Sequence, residues 1–390
     1  MRIAVAGGGP AGLAFAAFAR LAGPPDEVTV WERHRGEDTY GFGVILPPAA
    51  LAALRSADPV LADRLAPHLT GWDEVTVDRR GRSLTVRAPR LGAVSRRTLL
   101  RLLRERCAEL GVRLHLGVPA PDIAELRAGW DLVVAADGAR SAVRTALAGE
   151  FRATTEELAP DYIWLGVERE FPGLTFLVAD TPRGPVTAHV YPYAPGRSTF
   201  LVEAAHRPDP GEPARLFAGP LDGARLLENR SRWSRFPQLT TATWATGGTA
   251  GSGGIGGSGR RRGAGSVVLL GDAAHTAHYS IGSGTRLALD DARALVAALR
   301  SGHPLPRALA AYEAARRPAV DRTQRLGRVS AGWFAGLGAG RDPADGVRAG
   351  EATPERFLTD LLTRGGRISL ADLADEAAAD VSVATAGNRR

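Results

Sequence analysis

The opening "RIAVAGGGPAGLAFAAFAR" constrains this chain more than any other stretch, because a short apolar strand runs into a glycine turn and then directly into a helix. Ile3 to Ala6 reads as a buried strand. Gly7, Gly9 and Gly12 stand in G-x-G-x-x-G spacing, and Pro10 and Ala11 open a helix that the pattern carries to Gly23. That spacing asks for a sharp turn at the first glycine, room for another group against the second, and close helix-on-strand packing at the third. The unbonded N–H groups of the helix start then suit an anion such as a pyrophosphate. About twenty residues further on, the second strand "EVTVWERH" ends in Glu32 and Arg33, where an acid binds an adenosine ribose hydroxyl. These residues predict an α/β fold with a Rossmann-like dinucleotide-binding domain.

Two more stretches carry the same logic. In "DLVVAADGARSAVR" a buried strand delivers Asp137 and Gly138, with Arg140 and Arg144 behind them. In "SVVLLGDAAHTAHYSIGSG" another strand delivers Gly271 and Asp272, and Gly282, Ser283 and Gly284 then precede a helix of regular apolar spacing. Small residues at a helix start leave N–H groups open to a phosphate or to the electron-rich edge of a ring. The acid and the glycines are expected to hold one cofactor from two sides.

Composition removes alternatives. All 49 basic residues are arginine, so lysine Schiff bases, a pyridoxal phosphate anchor and a phosphate-loop lysine are absent. Cys107 is the sole cysteine, which excludes disulfides and cysteine-rich metal sites, and no metal is expected. The net charge is +7, yet no basic run is interleaved with aromatics, so no nucleic-acid partner is expected. Three glycines and a proline break the apolar N-terminus, and no stretch approaches membrane-spanning length. A cytoplasmic protein without a membrane partner is the expectation.

The ordered trio "GGGPAG", "AADGARS" and "LLGDAAH…GSG" resembles the FAD-dependent aromatic hydroxylases of the para-hydroxybenzoate hydroxylase fold. Tyr279 and Arg286 stand where that family commonly has proline and asparagine. With "YGFGVIL", "YIWLGV", "HVYPYAPGRSTFLVE", "NRSRWSRFP" and "WFAGL", they are similar to the branch containing salicylyl-CoA 5-hydroxylase and 2-aminobenzoyl-CoA monooxygenase. Tryptophan-derivative hydroxylases share several of these segments.

The resemblance implies non-covalent FAD, a transient NADPH or NADH donor and O2, with oxygen carried to an electron-rich ring by a flavin hydroperoxide. The substrate it implies is a small aromatic, such as an aryl-CoA thioester. A free tryptophan or indole, another carrier-bound aromatic, or a non-hydroxylating flavoprotein reductase acting on a lipid stay open. A flavin halogenase is disfavoured by the missing lysine. Arg96 matches the family's flavin-contacting arginine, and Phe42, Val44, Tyr193 and Trp233 are expected at the substrate.

His189, Tyr191 and Tyr193 alternate on one strand and would share a face. His189, Tyr191, His278 and Tyr279, the last two beside the flavin glycines, are the candidates for proton relay. The expected organisation is a discontinuous FAD domain (residues 1–71, 92–150 and 263–345) interrupted by an antiparallel substrate sheet (72–91 and 151–245). A Gly-rich disordered loop (246–262) and a helical C-terminal extension (346–390) complete it. A monomer or homodimer is expected, and Arg33, Arg35 and Arg140 tilt the donor toward NADPH through its 2′-phosphate.

Overall fold

A computed structural model describes residues 1–23, 27–35, 41–209, 211–247, 265–338 and 360–361. All but the first two residues of the expected glycine-rich loop and almost all of the expected C-terminal extension lie outside the described residues, and Thr246 is in a strand.

The first sheet places the strands Ser266–Leu269, Leu132–Ala135, Arg2–Ala6, Glu27–Glu32 and Arg113–Leu116 side by side, all parallel, with Ala245–Thr246 antiparallel at one edge. Buried on both faces, the central strands read as unbroken apolar runs, as parallel strands do. The helix Pro10–Leu21 packs against both Arg96–Glu109 and Gly284–Leu299, and all three contribute to the core on this sheet. The three motif turns all leave carboxyl ends of adjacent strands, which is where ligands bind in open α/β sheets.

The second sheet has nine strands, ordered Leu226–Leu227, Ala153–Val167, Arg197–Ala204, Val186–Ala194, Leu174–Ala179, Thr70–Arg79, Arg82–Ser95 and Gly43–Ile45, with Ser234–Thr241 also pairing on Ala153–Val167. Alternation along these strands predicts antiparallel neighbours, and every seam but one obeys. Thr70–Arg79 runs parallel to Leu174–Ala179, in register from Val75 opposite Leu174. The helix Arg96–Glu109 and the first-sheet strands Arg113–Leu116 and Leu132–Ala135 are among the elements between the two in sequence, which gives the chain length that a parallel crossover needs.

Period-2 alternation divides the second sheet's faces. Ala188 and Val190 point into a cluster with Leu165, Phe200 and Phe217, whereas His189, Tyr191 and Tyr193 point the other way. The helix Leu305–Gly338 brings Trp333 and Phe334 against Phe176 and Val178 on the His189 side. Among the described residues no helix is long and apolar enough to cross a membrane.

Candidate active site

The glycine turn is built to leave space. Gly7 has φ +109, and a Cβ there would collide with the carbonyl of Ala136 at the neighbouring motif. A Cβ on Gly12 would collide with the carbonyl of Gly7 itself. Gly9, between them, has φ −77 and no atom within 4 Å of where a Cβ would stand. Pro10–Leu21 starts at Gly9 with no side-chain cap and no acid in its first turn. The turn is therefore an open cradle beside an uncapped helix start, which suits a pyrophosphate.

Glu32 lies against this cradle. Its Oε2 accepts from the Gly8 N–H at 2.9 Å and its Oε1 from the His34 N–H at 2.8 Å, so two backbone donors orient it while leaving lone pairs for ribose hydroxyls. Arg33 is exposed and its Nε contacts His34 Nε2 at 3.2 Å. Arg96 begins the helix Arg96–Glu109, and its backbone N–H donates to the Phe42 carbonyl at 2.8 Å. Burial lowers its guanidinium, opposed by the nearby charges of Asp272 and Glu32. Arg96 thus stands between the two acids that the motifs supply.

Asp137 accepts from the Ala142 and Val143 N–H groups through Oδ2, at 2.7 and 3.3 Å, capping the next helical turn. Its Oδ1 is buried without a partner, and Gly138 beside it has φ +83 with open space where a Cβ would stand. Arg144 ties this turn to the Gly-Asp turn, donating to the carbonyls of Ala139 (2.5 Å) and Ala273 (2.8 Å). Gly271 (φ +58) lies so close to Ala11 that a Cβ would come within 2.9 Å of it. All three motifs meet here.

Asp272 is solvent-exposed at this junction, yet protein encloses its other sides. Burial pushes its carboxyl up and Asp291 adds to this, while His275 and Arg96 pull it down. A raised folded value means that this group favours the fold when protonated, and that its contribution is lost as pH rises through that value. Asp272→Asn is therefore expected to melt no lower than the parent at neutral pH while binding FAD about tenfold more weakly, since a hydrogen bond to a charged group contributes about 1.5–3 kcal/mol. Flavin fluorescence titration beside a thermal melt checks both, and unchanged FAD affinity would defeat the assignment.

Open cradle, uncapped helix starts, an orphaned carboxylate oxygen and oriented acids fit FAD. The helix Gly284–Leu299 likewise starts at Ser283 without a side-chain cap, after Gly282 at φ +70.

Immediately before that turn the chain builds an aromatic wall. Tyr279 lies 4.1 Å from the His278 ring, 4.5 Å from Tyr162 and 6.0 Å from Phe236, centroid to centroid. Burial raises the Tyr162 phenol, Ser234 lowers it, and the charges of Asp272 and Arg140 reach it with opposite sign. The wall and the Gly-Asp turn therefore share one site. His278 is fully buried, and its Nδ1 lies 2.8 Å from Ser280 Oγ, which bonds Ser330 Oγ at 2.7 Å.

His189 joins this group, with Nε2 2.9 Å from Glu203 Oε1, while Tyr279 donates to Glu203 Oε2 at 2.7 Å. Tyr191 is placed apart. Its hydroxyl donates to the Gly43 carbonyl at 3.0 Å, its ring stacks on Trp72, and burial pushes its phenol up to about 12. Tyr193 packs in the same cluster, beside Gly43 and Phe42. Val44 is buried in the main core opposite Val94. Trp233 packs with the Leu165 and Val190 cluster on the sheet's opposite face, because the loop before Ser234 wraps that side. The structure does not bring Trp233 together with His189 and Tyr279.

Glu203 was not among the residues expected from sequence. Its signal is one acid directly after the apolar stretch Phe200 to Val202 in "STFLVE", where Ser198 to Glu203 are all buried.

No protein-family model matches the chain. The chain is 55% identical over 383 residues, 98% of its own length and 99% of the relative's, to 3-hydroxy-4-methyl-anthranilyl-[aryl-carrier protein] 5-monooxygenase of Streptosporangium sibiricum. It is 38% identical to salicyloyl-CoA 5-hydroxylase of a Streptomyces species, covering 96% of this chain and 72% of that one. A solved structure of 2-methyl-3-hydroxypyridine-5-carboxylic acid oxygenase, in a tetrameric form, shares the fold with TM-score 0.69 at 22% identity, covering 89% and 98% of the two chains. Fold and site define a flavoprotein of the aromatic-hydroxylase fold. The chain belongs to the FAD-dependent aromatic monooxygenases, in the branch that contains these carrier-protein and CoA hydroxylases.

Proposed function

We propose that this monooxygenase hydroxylates an electron-rich benzoyl ring held as a thioester on a phosphopantetheine arm, with an aryl-carrier protein favoured over CoA as the bearer. The aromatic wall of Tyr162, Phe236, His278 and Tyr279 beside the Gly282–Gly284 turn carries the ring-hydroxylation reading. The bearer follows the relative of 55% identity, whose substrate is an anthranilyl group on a carrier protein, and the CoA-linked relative shares the same thioester.

Bound FAD, once reduced, supplies the activated oxygen that reaches the ring. The chain's residues hold and orient. Gly7 to Gly12 and Glu32 bind the dinucleotide, Asp137 and Asp272 position it from the neighbouring strands, and buried His278 with half-buried Tyr162, Phe236 and Tyr279 shields the ring from water. NADPH or NADH is the proposed donor. Exposed Arg33, Arg35 and Arg140 favour NADPH, because a guanidinium pairs bidentately with a 2′-phosphate.

The test is a panel of hydroxylated benzoyl and anthraniloyl groups offered as carrier-protein thioesters, CoA thioesters and free acids, together with tryptophan. Product mass and coupled NAD(P)H oxidation are read for each. Addition of one oxygen to the thioesters, with kcat/KM at least about 100-fold above the free acids, is expected, since binding energy from a remote handle is realised at the reacting centre. One oxygen added to tryptophan and none to any thioester would overturn the reading.

A further inference from the structure

Glu203 is 2% exposed and, among the described residues, its one ion-pair contact is His189, itself 7% exposed. A carboxylate buried without an arginine is costly unless something uses it. Its two oxygens have different neighbours: Oε2 accepts from the Tyr279 hydroxyl at 2.7 Å, whereas Oε1 stands 2.9 Å from His189 Nε2 without hydrogen-bond geometry. The residue is also fixed from the sides, being paired in register with Tyr162 on one neighbouring strand and Thr187 on the other.

The titratable groups around it are few. Tyr162 comes from Ala153–Val167, with the charge of Asp161 reaching Tyr279; His189 from Val186–Ala194; His278 and Tyr279 from the turn before Gly282. The long helix contributes Phe334, 4.8 Å from the His189 ring, and Leu174–Ala179 contributes Phe176 at 4.9 Å. Both are uncharged, and the charges of Asp272 and Arg140 reach the group through Tyr162.

We propose that Glu203 is a positioning residue that makes Tyr279 the proton acceptor for the substrate's ring hydroxyl, with His189 standing beside the far oxygen of Glu203. The inference rests on the ring-hydroxylation reading above. Because Tyr279 spends its proton on Glu203, the lone pairs on its oxygen are the side left to meet a ring O–H. When that bond breaks, its proton joins the Tyr279 oxygen and the original Tyr279 proton moves to Glu203 Oε2. The ring is left as an electron-rich phenolate and Glu203 as a neutral acid. No electron is gained or lost, and the proton returns by the same path when the hydroxyl re-forms. A ring oxygen that has become anionic is the activation that an electrophilic oxygen transfer needs.

Burial pushes the Tyr279 phenol well above its ordinary value, and the Glu203 charge and hydrogen bond push it further. This gives a readout independent of turnover. Ultraviolet titration of Tyr279, isolated by subtracting Tyr279→Phe, is expected to move down toward the ordinary phenol range in Glu203→Gln. In turnover, Glu203→Gln is expected to lower kcat about 100-fold with little change in KM, the usual scale of a lost proton-transfer group. The acid limb of the kcat profile should vanish with it. Glu203→Asp, which keeps the charge, should retain the acid limb and recover part of the rate, and it serves if the amide variant does not fold. An unmoved Tyr279 titration together with an unchanged kcat–pH profile would overturn the proposal. If the parent enzyme hydroxylates no ring at all, the functional reading falls instead, and the tyrosine titration still decides whether Glu203 governs Tyr279.

Discussion

Gly9→Ala is expected to fold like the parent and to bind FAD about 10- to 100-fold more weakly, whereas Gly12→Ala is expected to yield little folded protein. The two glycines are three residues apart in one motif, yet they meet opposite surroundings. Gly9 has an ordinary backbone conformation and empty space at its Cβ direction, so alanine costs the apoprotein nothing steric. That space is the face the pyrophosphate must approach, and overfilling a close contact costs about 1–3 kcal/mol, with each 1.4 kcal/mol a tenfold change in affinity. At Gly12 the added carbon would enter the Gly7 carbonyl and come within 3.1 Å of Val5 and 3.2 Å of Ala136. There the turn, the first strand and the second motif must all move. Circular dichroism melts of both apoproteins and a flavin fluorescence titration of the alanine-9 form check the contrast. Wild-type FAD affinity in Gly9→Ala would remove the cradle from the cofactor site.

This contrast also shows what a linear sequence reveals. A glycine motif is legible because its constraint is local: the same few residues make the turn, leave the space and start the helix. The strands feeding it are legible for the same reason, as short apolar runs ending in Glu32, Asp137 and Asp272, and the structure gathers those ends along one edge of the parallel sheet. The shared face of His189, Tyr191 and Tyr193 was readable from period-2 alternation alone. What their side chains meet was not. Tyr191 spends its hydroxyl on Gly43, a residue 148 positions away, while His189 reaches Glu203 across one strand seam. No local pattern distinguishes those outcomes.

Glu203 is the instructive omission. An acid at the end of a strand reads as a solvent-facing residue, yet Glu203 is buried against Tyr279, 76 positions later, and His189 on the neighbouring strand. The parallel seam between Thr70–Arg79 and Leu174–Ala179 escaped for a related reason, since the alternation that favours antiparallel neighbours reports which face is buried and does not fix the direction of each neighbour. Trp233 is the converse case. Its segment matched the family, but matching a segment does not fix the side of the sheet on which one ring packs.

Asp291→Asn is expected to cost about 3–5 kcal/mol of stability, the scale for removing one partner from a buried charge network. Asp291 is wholly buried on the helix Gly284–Leu299, with His275 Nε2 2.8 Å from Oδ2 and Arg316 Nε donating to Oδ1 at 2.9 Å. Burial alone would push this carboxyl up, but the charges and hydrogen bonds of His275 and Arg316 outweigh it and hold the group below its ordinary value. A lowered folded value gives stability that is present above the unfolded value, about 4, and lost as pH falls through the folded one. The parent should therefore lose this contribution in acid below about pH 4, and the asparagine variant, having no proton to exchange, should lack that part of the pH dependence. The consequence reaches the cofactor, because His275 is anchored at both ends: its backbone N–H donates to the Gly271 carbonyl at 3.1 Å and its ring to the Asp291 side. Loosening Asp291 loosens the turn that presents Asp272. Saturating FAD should then raise the variant's melting temperature by less than it raises the parent's, since ligand stabilisation follows the affinity of the folded state. Chemical denaturation from pH 3 to 8, with and without FAD, measures both effects. Equal stability of the two proteins near neutral pH would mean that Arg316 and His275 find other partners and that the network is not what holds the Gly-Asp turn.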